Sequence, residues 1–341
     1  MMASGGNPRI GIIADTVLQG HLLSSAVKGQ GYELAVNTDP ANLDDGQLAD
    51  GPDLWVVDLT EEDRWHDFLD NLLENAAAPI LFSDGQAPPR NAPEYPRWER
   101  RLLAKMLDYV SKPKIEERLE TLEPIKPTRV IPTPREFSSV ISGEAPQRIW
   151  VLGASLGGPA AVKLFLDSLP AELPVAFILA QHIDGGFLET LSKVLCRDNG
   201  FECRVGNEGE ALRHGKVLIA PVDYEIAFTE TGVIYNTGNQ WEGPYAPSID
   251  QVIQNASQCF AERANAILFS GMGNDGAIAG PQMRGRGSEV WAQSSETCAV
   301  SSQPDSVRET GCVSYVGSPE NLALQLVETV RRQLQTTGVA S

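Results

Sequence analysis

Apolar residues fall along this chain in short runs, and most runs close on a small or polar residue before a stretch with helical spacing. Arg9-Ile10-Gly11-Ile12-Ile13-Ala14-Asp15 is a buried-strand pattern ending in an acid, after which Leu22, Leu23 and Val27 fall on one helical face. Asp53-Leu54-Trp55-Val56-Val57-Asp58 repeats the pattern, and Ala78-Pro79-Ile80-Leu81-Phe82-Ser83 supplies a third strand, closing on a hydroxyl. Strands alternating with helices predict a parallel sheet whose functional residues lie at the strands' carboxyl ends. The stretch 98–113 supports two readings. Trp98, Leu102, Leu103, Met106, Leu107 and Val110 fit one amphipathic helix with Lys112 at its end, whereas Asp108 to Pro113 also reads as a final strand.

The pattern then lapses. Ile115, Leu119 and Leu122 suit a closing helix, and residues 123–147 carry five prolines among basic and polar residues, a composition that cannot build its own core. That is a linker. At Arg148-Ile149-Trp150-Val151-Leu152-Gly153-Ala154-Ser155 the rhythm resumes, as strand, tight turn and a helix through Val162, Leu164, Phe165 and Leu169. Pro174 to Gln181 is the next strand and ends at His182. Lys216 to Pro221 and Gly232 to Tyr235 read as short strands forming a hairpin with Ile226-Ala227-Phe228. Ser248 is placed to cap a helix through Val252, Ile253 and Ala256. Ala264 to Ser270 is a strand running into Gly271-Met272-Gly273-Asn274-Asp275-Gly276, Val290 to Gln293 is another, and Glu320 to Gln333 is an amphipathic helix. The chain therefore reads as α/β throughout, with two doubly wound parallel-sheet domains at 8–122 and 148–335 joined by the linker 123–147.

Composition agrees with that division. A chain of 341 residues exceeds one ordinary core, and 42% hydrophobic against 21% charged residues marks a folded protein. A net charge of −18 repels phosphate backbones, so nucleic acid is not an expected partner. No apolar run is long enough to span a bilayer, and Met1 to Pro8 lacks a secretory pattern, so we expect a cytoplasmic protein without membrane insertion. Five cysteines at 196, 203, 259, 298 and 312 show no C-x-x-C spacing, which argues against structural zinc and against a disulfide framework.

Three predicted strand ends in the second domain present Ser155, His182 and Asp275. A hydroxyl needs a base to become a nucleophile near neutral pH, imidazole is suited to that task, and a carboxylate behind the ring fixes its tautomer. Each residue alone has a plainer role: Ser155 as a helix cap, His182 as an ordinary sheet-edge histidine, Asp275 as turn chemistry in Asp-Gly. Their shared placement at one edge is what points to catalysis.

The motifs around them resemble the catalytic domain of CheB-type protein-glutamate methylesterases. In order they are Gly153-Ala154-Ser155-Leu156-Gly157-Gly158-Pro159, Gln181-His182-Ile183-Asp184-Gly185-Gly186-Phe187, Ile219-Ala220-Pro221, Pro247-Ser248-Ile249-Asp250, Gly271-Met272-Gly273-Asn274-Asp275-Gly276-Ala277, and Ala292-Gln293 with Cys298. The resemblance implies Ser155 as nucleophile, His182 as base and Asp275 as orienting acid, with the amides of Leu156 and Met272 as the oxyanion hole and neither cofactor nor metal in that domain. It departs at Leu156, where a threonine is common, at Ile183, where a methionine is, and at Ser294-Ser295, where acids often stand. The first domain resembles the receiver domain of two-component signalling. That implies Asp58 as phosphoacceptor, Asp15 as one acid of a metal-binding pair, Ser83 as the sensing hydroxyl and Lys112 as the pocket lysine, but Ala14 stands where the second acid would be.

The activity so implied is demethylation of glutamate methyl esters, and by the same route deamidation of glutamines, in the cytoplasmic domain of a methyl-accepting chemoreceptor. A chemosensory histidine kinase would phosphorylate Asp58 and thereby uncover Ser155. The alternatives are a non-catalytic receptor-array adaptor and a small-molecule carboxylesterase.

Overall fold

The three N-terminal apolar runs become β1 (Arg9–Ala14), β3 (Leu54–Asp58) and β4 (Ile80–Phe82), and a fourth strand, β2 (Glu33–Thr38), joins them. The computed structural model describes residues 7–43, 46, 48, 51–60, 62–83, 85–90, 92–113, 127, 128, 130–137 and 145–338. It divides into two compact units, Met1–Glu116 and Glu117–Ser341.

In the first unit the strands pair in parallel in the order β2-β1-β3-β4. The centre of the sheet is apolar on both faces, with Ile10, Ile12, Ile13 and Leu54 to Val57 all buried, which is why β1 and β3 read as continuous runs. The edge strand β2 is only half buried and carries polar residues, so it left no comparable signal. Helices α1 (Val17–Gly29), α2 (His66–Asn75) and α3 (Tyr95–Met106) are among the described elements of the unit. Thr16 caps α1 by accepting from the Gln19 amide at 3.2 Å. For 98–113 the helix forms only as far as Met106, four residues short of the Val110 expected on it. Trp98, Leu102, Leu103 and Met106 are buried along α3, and turns rather than a strand follow it through Val110. The closing helix expected at 115–122 lies outside the described residues.

The second unit is built on a seven-stranded parallel sheet. Its strands are β5 (Arg148–Ala154), β6 (Val175–Gln181), β7 (Glu202–Val205), β8 (Lys216–Ile219), β11 (Ala264–Leu268), β12 (Val290–Gln293) and β13 (Tyr315–Gly317), in the order β13-β12-β11-β5-β6-β8-β7. Alternate residues of β5 feed two separate cores. Trp150, Leu152 and Ala154 pack with Phe165, Leu166, Leu191, Leu322 and Leu326 of α4 (Gly158–Ser168), α5 (Leu188–Leu195) and α9 (Pro319–Gly338). Ile149 and Val151 pack with Val252, Ile253, Met283 and Val307 of α6 (Ile249–Phe260), α7 (Ala279–Gly285) and α8 (Ser302–Glu309). A strand buried on both faces needs no polar side, so its whole length is apolar.

Lys216 to Ile219 does not belong to the hairpin expected of it. It is β8 of the main sheet, parallel to β6, and the hairpin is β9 (Ile226–Phe228) with β10 (Ile234–Asn236). Cys196 and Cys203 form a disulfide from the end of α5 to β7, a pairing that their seven-residue spacing did not announce.

The proline-rich stretch also has structure of its own. Described residues from 127 to 137 lie along the second unit: the Ile131 amide donates to Ser168 O at 3.1 Å, and Thr133 Oγ1 to Glu172 at 2.7 Å. Phe137, in a short 3-10 turn, is wholly buried with Trp150 and Phe165. The segment cannot build a core, but one aromatic side chain lets it borrow the neighbouring one. No helix among the described residues is long and apolar enough to cross a membrane.

Candidate active site

The sheet order reverses at β5. From there the chain steps outward through β6 to β7 and β8, then returns to lay β11, β12 and β13 on the other side. Crevices at the carboxyl ends of such a switch point are where α/β sheets hold ligands. The turns carrying Ser155, His182 and Asp275 follow β5, β6 and β11, three adjacent strands, so the sequence reading of a shared edge becomes direct adjacency.

Ser155 is laced to both neighbours. Its amide donates to Ser270 O beyond β11 at 3.1 Å, and its carbonyl accepts from Gln181 Nε2 at the end of β6 at 2.8 Å and from Gly158 N at 2.9 Å. Gly157 has φ +76°, and a Cβ there would lie 2.5 Å from Ala299 Cβ, so both conformation and space demand glycine. Helix α4 starts at once, directing its N-terminal positive dipole at the turn. From the β11 side, Gly271 comes so near that a Cβ on it would sit 2.9 Å from Ser155 Cβ.

His182 Nε2 meets Asp275 Oδ2 at 2.9 Å. Asp275 is fully buried, and the α6 N-terminus holds it: Ile249 N donates to Oδ2 at 2.6 Å and Asp250 N to Oδ1 at 3.0 Å. The arrangement is reciprocal. Asp250 Oδ1 accepts from Ile278 N at 3.1 Å and Ala279 N at 2.5 Å where α7 begins, so each buried aspartate caps the helix that follows the other's turn. With Nε2 engaged, Nδ1 is the ring nitrogen left to face a hydroxyl. Among the described residues no hydrogen bond links the Ser155 hydroxyl to His182. Such bonds are often long in unliganded enzymes and tighten with substrate.

Leu156 and Met272 follow Ser155 and Gly271 on facing loops. Among the described residues neither amide donates to a protein acceptor, which leaves both available to an oxyanion. The Ser270 hydroxyl ties the loops together, donating to Leu156 O at 2.8 Å and accepting from Val300 N at 3.1 Å.

Several contributors escaped the sequence reading. Tyr245 stacks on the His182 ring with centroids 4.9 Å apart and planes 2° from parallel. Gln181 ties the Ser155 turn through its side chain, and Gln303, whose backbone N donates to Gly271 O at 3.0 Å while its buried side-chain carboxamide has no hydrogen-bond partner among the described residues, packs against Gly271. Asp250 belongs to the Pro247-Ser248-Ile249-Asp250 motif, but nothing in its spacing shows that it caps the next helix.

The first unit places Asp15, Asp58 and Ser83 at the carboxyl ends of β1, β3 and β4, and of the three Asp15 lines a cleft of about 530 Å³ with Asn37, Asp39 and Arg64. Asp15 Oδ2 accepts from both the amide and the hydroxyl of Thr60, each at 2.8 Å, and the Ser83 hydroxyl donates to Gly85 O at 2.9 Å. Burial and, second, the Asp15 charge push Asp58 up to about 6. Lys112, beyond α3, has its pKa lowered by burial. Ala14 is apolar where the second acid of a pair would stand, and among the described residues no three or more His, Cys, Asp or Glu side chains are grouped to hold a metal ion.

The Asp58 shift has a stability consequence. An aspartate titrates near 3.9 in an unfolded chain, so between about pH 4 and 6 the folded state binds its proton more tightly and stability falls as pH rises through that window. Asp58→Asn removes the loss. Calorimetry of the full chain should show the N-terminal transition raised by a few degrees above pH 6 and unchanged near pH 4; a variant melting with wild type at both would contradict the burial argument.

Comparison with known proteins bears on the family and the fold. The CheB methylesterase family model matches residues 150–326. Over 342 residues, 96% of this chain and 98% of the relative, the chain is 28% identical to a protein-glutamate methylesterase/protein-glutamine glutaminase 2 of Burkholderia pseudomallei. A Burkholderia lata protein of the same description is 32% identical over 59% of this chain, where the match spans 60% of the relative's length. Among solved structures, the Thermotoga maritima CheB methylesterase catalytic domain matches over all of its length and 55% of this chain, at 27% identity and a TM-score of 0.51.

Proposed function

The chain belongs to the CheB methylesterase family, and from that premise we propose that it hydrolyses methyl esters of glutamate side chains in the cytoplasmic helical domain of a chemoreceptor. Ser155 Oγ attacks the ester carbonyl while His182 Nδ1 takes its proton. Asp275 holds Nε2–H and stabilises the imidazolium. The amides of Leu156 and Met272, with the N-terminus of α4 behind them, receive the negative charge that develops on the carbonyl oxygen. The imidazolium returns its proton to departing methanol, and a water activated by the same ring releases the glutamate. A glutamine amide entering by the same route releases ammonia, in keeping with the second activity in the relatives' names. The chemistry calls for no metal or cofactor.

The observation that carries this reading is the 2.9 Å contact between His182 and a fully buried Asp275, one strand from the Ser155 turn. The first unit is the regulatory half of the reading, with Asp58 as the residue a histidine kinase would phosphorylate in the cytoplasm.

Methanol release from methyl-esterified receptor tests the proposal. Purified protein should free methanol from the receptor and leave small alkyl esters nearly untouched. Preference for the small esters would establish a carboxylesterase instead, and no release from either would leave the adaptor.

A further inference from the structure

We infer that Tyr245 is a positioning residue for the catalytic imidazole, acting through ring stacking; this role rests on the esterase reading above. Tyr245 is buried, and its ring lies parallel to that of His182. It sits on a strap fixed at both ends. Upstream, Trp241 is buried and donates its Nε1–H to Pro221 O at 2.9 Å, just past β8, and the Glu242 amide donates to Gln251 Oε1 at 2.7 Å. Downstream, Ser248 Oγ caps α6 by accepting from Gln251 N at 3.3 Å, and the next two amides hold Asp275. Tyr245 and the clamp on Asp275 thus belong to one continuous segment, 241–251, which builds both supports of the base.

The two supports act in different directions. The bond from Nε2 to Asp275 fixes one atom in the plane of the imidazole, which leaves the ring able to tilt about that contact. A face-on aromatic plate removes the tilt and keeps Nδ1 aimed along the sheet edge toward Ser155. The plate also distinguishes the states of the ring. An imidazolium over an aromatic face gains a cation–π attraction that the neutral ring lacks, so the contact strengthens when His182 takes the serine proton. An interaction stronger in the transition state than in the ground state raises kcat and leaves KM alone.

The test uses the full chain. Tyr245→Leu should lower kcat for methanol release by about thirtyfold with KM within about twofold, the size expected for one desolvated cation–π contact. Tyr245→Phe keeps the ring and should recover most of the rate. By NMR, the ring-current displacement of the His182 carbon-bound protons should persist in Tyr245→Phe and vanish in Tyr245→Leu. A Leu variant with wild-type kcat, an effect confined to KM, or a Phe variant as impaired as Leu would each overturn the role. An inactive wild type would sink the esterase reading and this role together, whereas an active wild type indifferent to Tyr245→Leu sinks only the role.

Discussion

Ser155→Ala should reduce methanol release to background, a loss of about four powers of ten or more, because the residue on which the acyl group would form is gone. Its fold should survive. Among the described residues the Ser155 hydroxyl takes part in no hydrogen bond, while the backbone contacts that shape the turn, to Ser270, Gln181 and Gly158, do not depend on the side chain. Gly157 with its positive φ and the close approach of Gly271 also remain. The variant therefore separates chemistry from structure: thermal midpoint and receptor binding should match wild type while turnover disappears. Residual turnover within about tenfold of wild type would mean that another nucleophile operates, and the proposed mechanism would fail.

Asp275→Ala should be worse in a second way. The carboxylate orients His182 and also accepts two amides at the start of α6, so its removal strands two buried donors and withdraws a negative charge from a helix N-terminus. We expect a stability loss of about 2–4 kcal/mol by denaturant unfolding, combining those two effects. Turnover at a temperature where the variant is still folded should fall about 10⁴-fold, as when the acid behind a catalytic histidine is removed. Asp275→Asn divides the effects. Its single carbonyl oxygen cannot replace both carboxylate oxygens, so one of the three donors must face the amide nitrogen. It should recover part of the stability and little of the rate. A variant that is destabilised yet fully active would show that the carboxylate caps a helix and does nothing for the ring.

Much of this was legible in the sequence because the sheet is buried on both faces. Continuous apolar runs such as Ile149 to Leu152 and Ala176 to Ala180 have no other use, and each ends where the chain needs a turn, which is why Ser155 and His182 could be read as strand-end residues. Strand order was not legible. Nothing in the residues themselves puts β11 rather than β8 beside β5, and only that order makes the three turns neighbours. Short, half-polar edge strands such as β2 and β7 gave too little periodicity to be seen. Lys216 to Ile219 pairs with β6 and not with the hairpin, because an isolated four-residue run carries no information about its partner.

The same limit applies within the site. Tyr245 and Gln303 reach it from segments with no strand-end signature, and their contacts with His182 and Gly271 exist only in three dimensions. In the first unit the two readings of 98–113 were separable only by packing. Trp98, Leu102 and Met106 bury as one helical face that stops at Met106, and Asp108 to Pro113 forms turns and irregular chain in place of a strand. The Ala14 substitution was visible from the start. The capture of Asp15 by Thr60 was not, because it depends on the loop after β3 folding back over the end of β1.

The central claim is that Ser155 is made nucleophilic by a histidine one strand away. Its most direct measurement is the rate at which a fluorophosphonate phosphonylates the protein, serine Oγ displacing fluoride at phosphorus, with the modified peptide located by mass spectrometry. The account predicts a single modified residue, Ser155, labelled rapidly in wild type and at least about a hundredfold more slowly in His182→Ala, the range general-base assistance supplies. Modification at another residue, or equal labelling of Ser155 with and without His182, would contradict it.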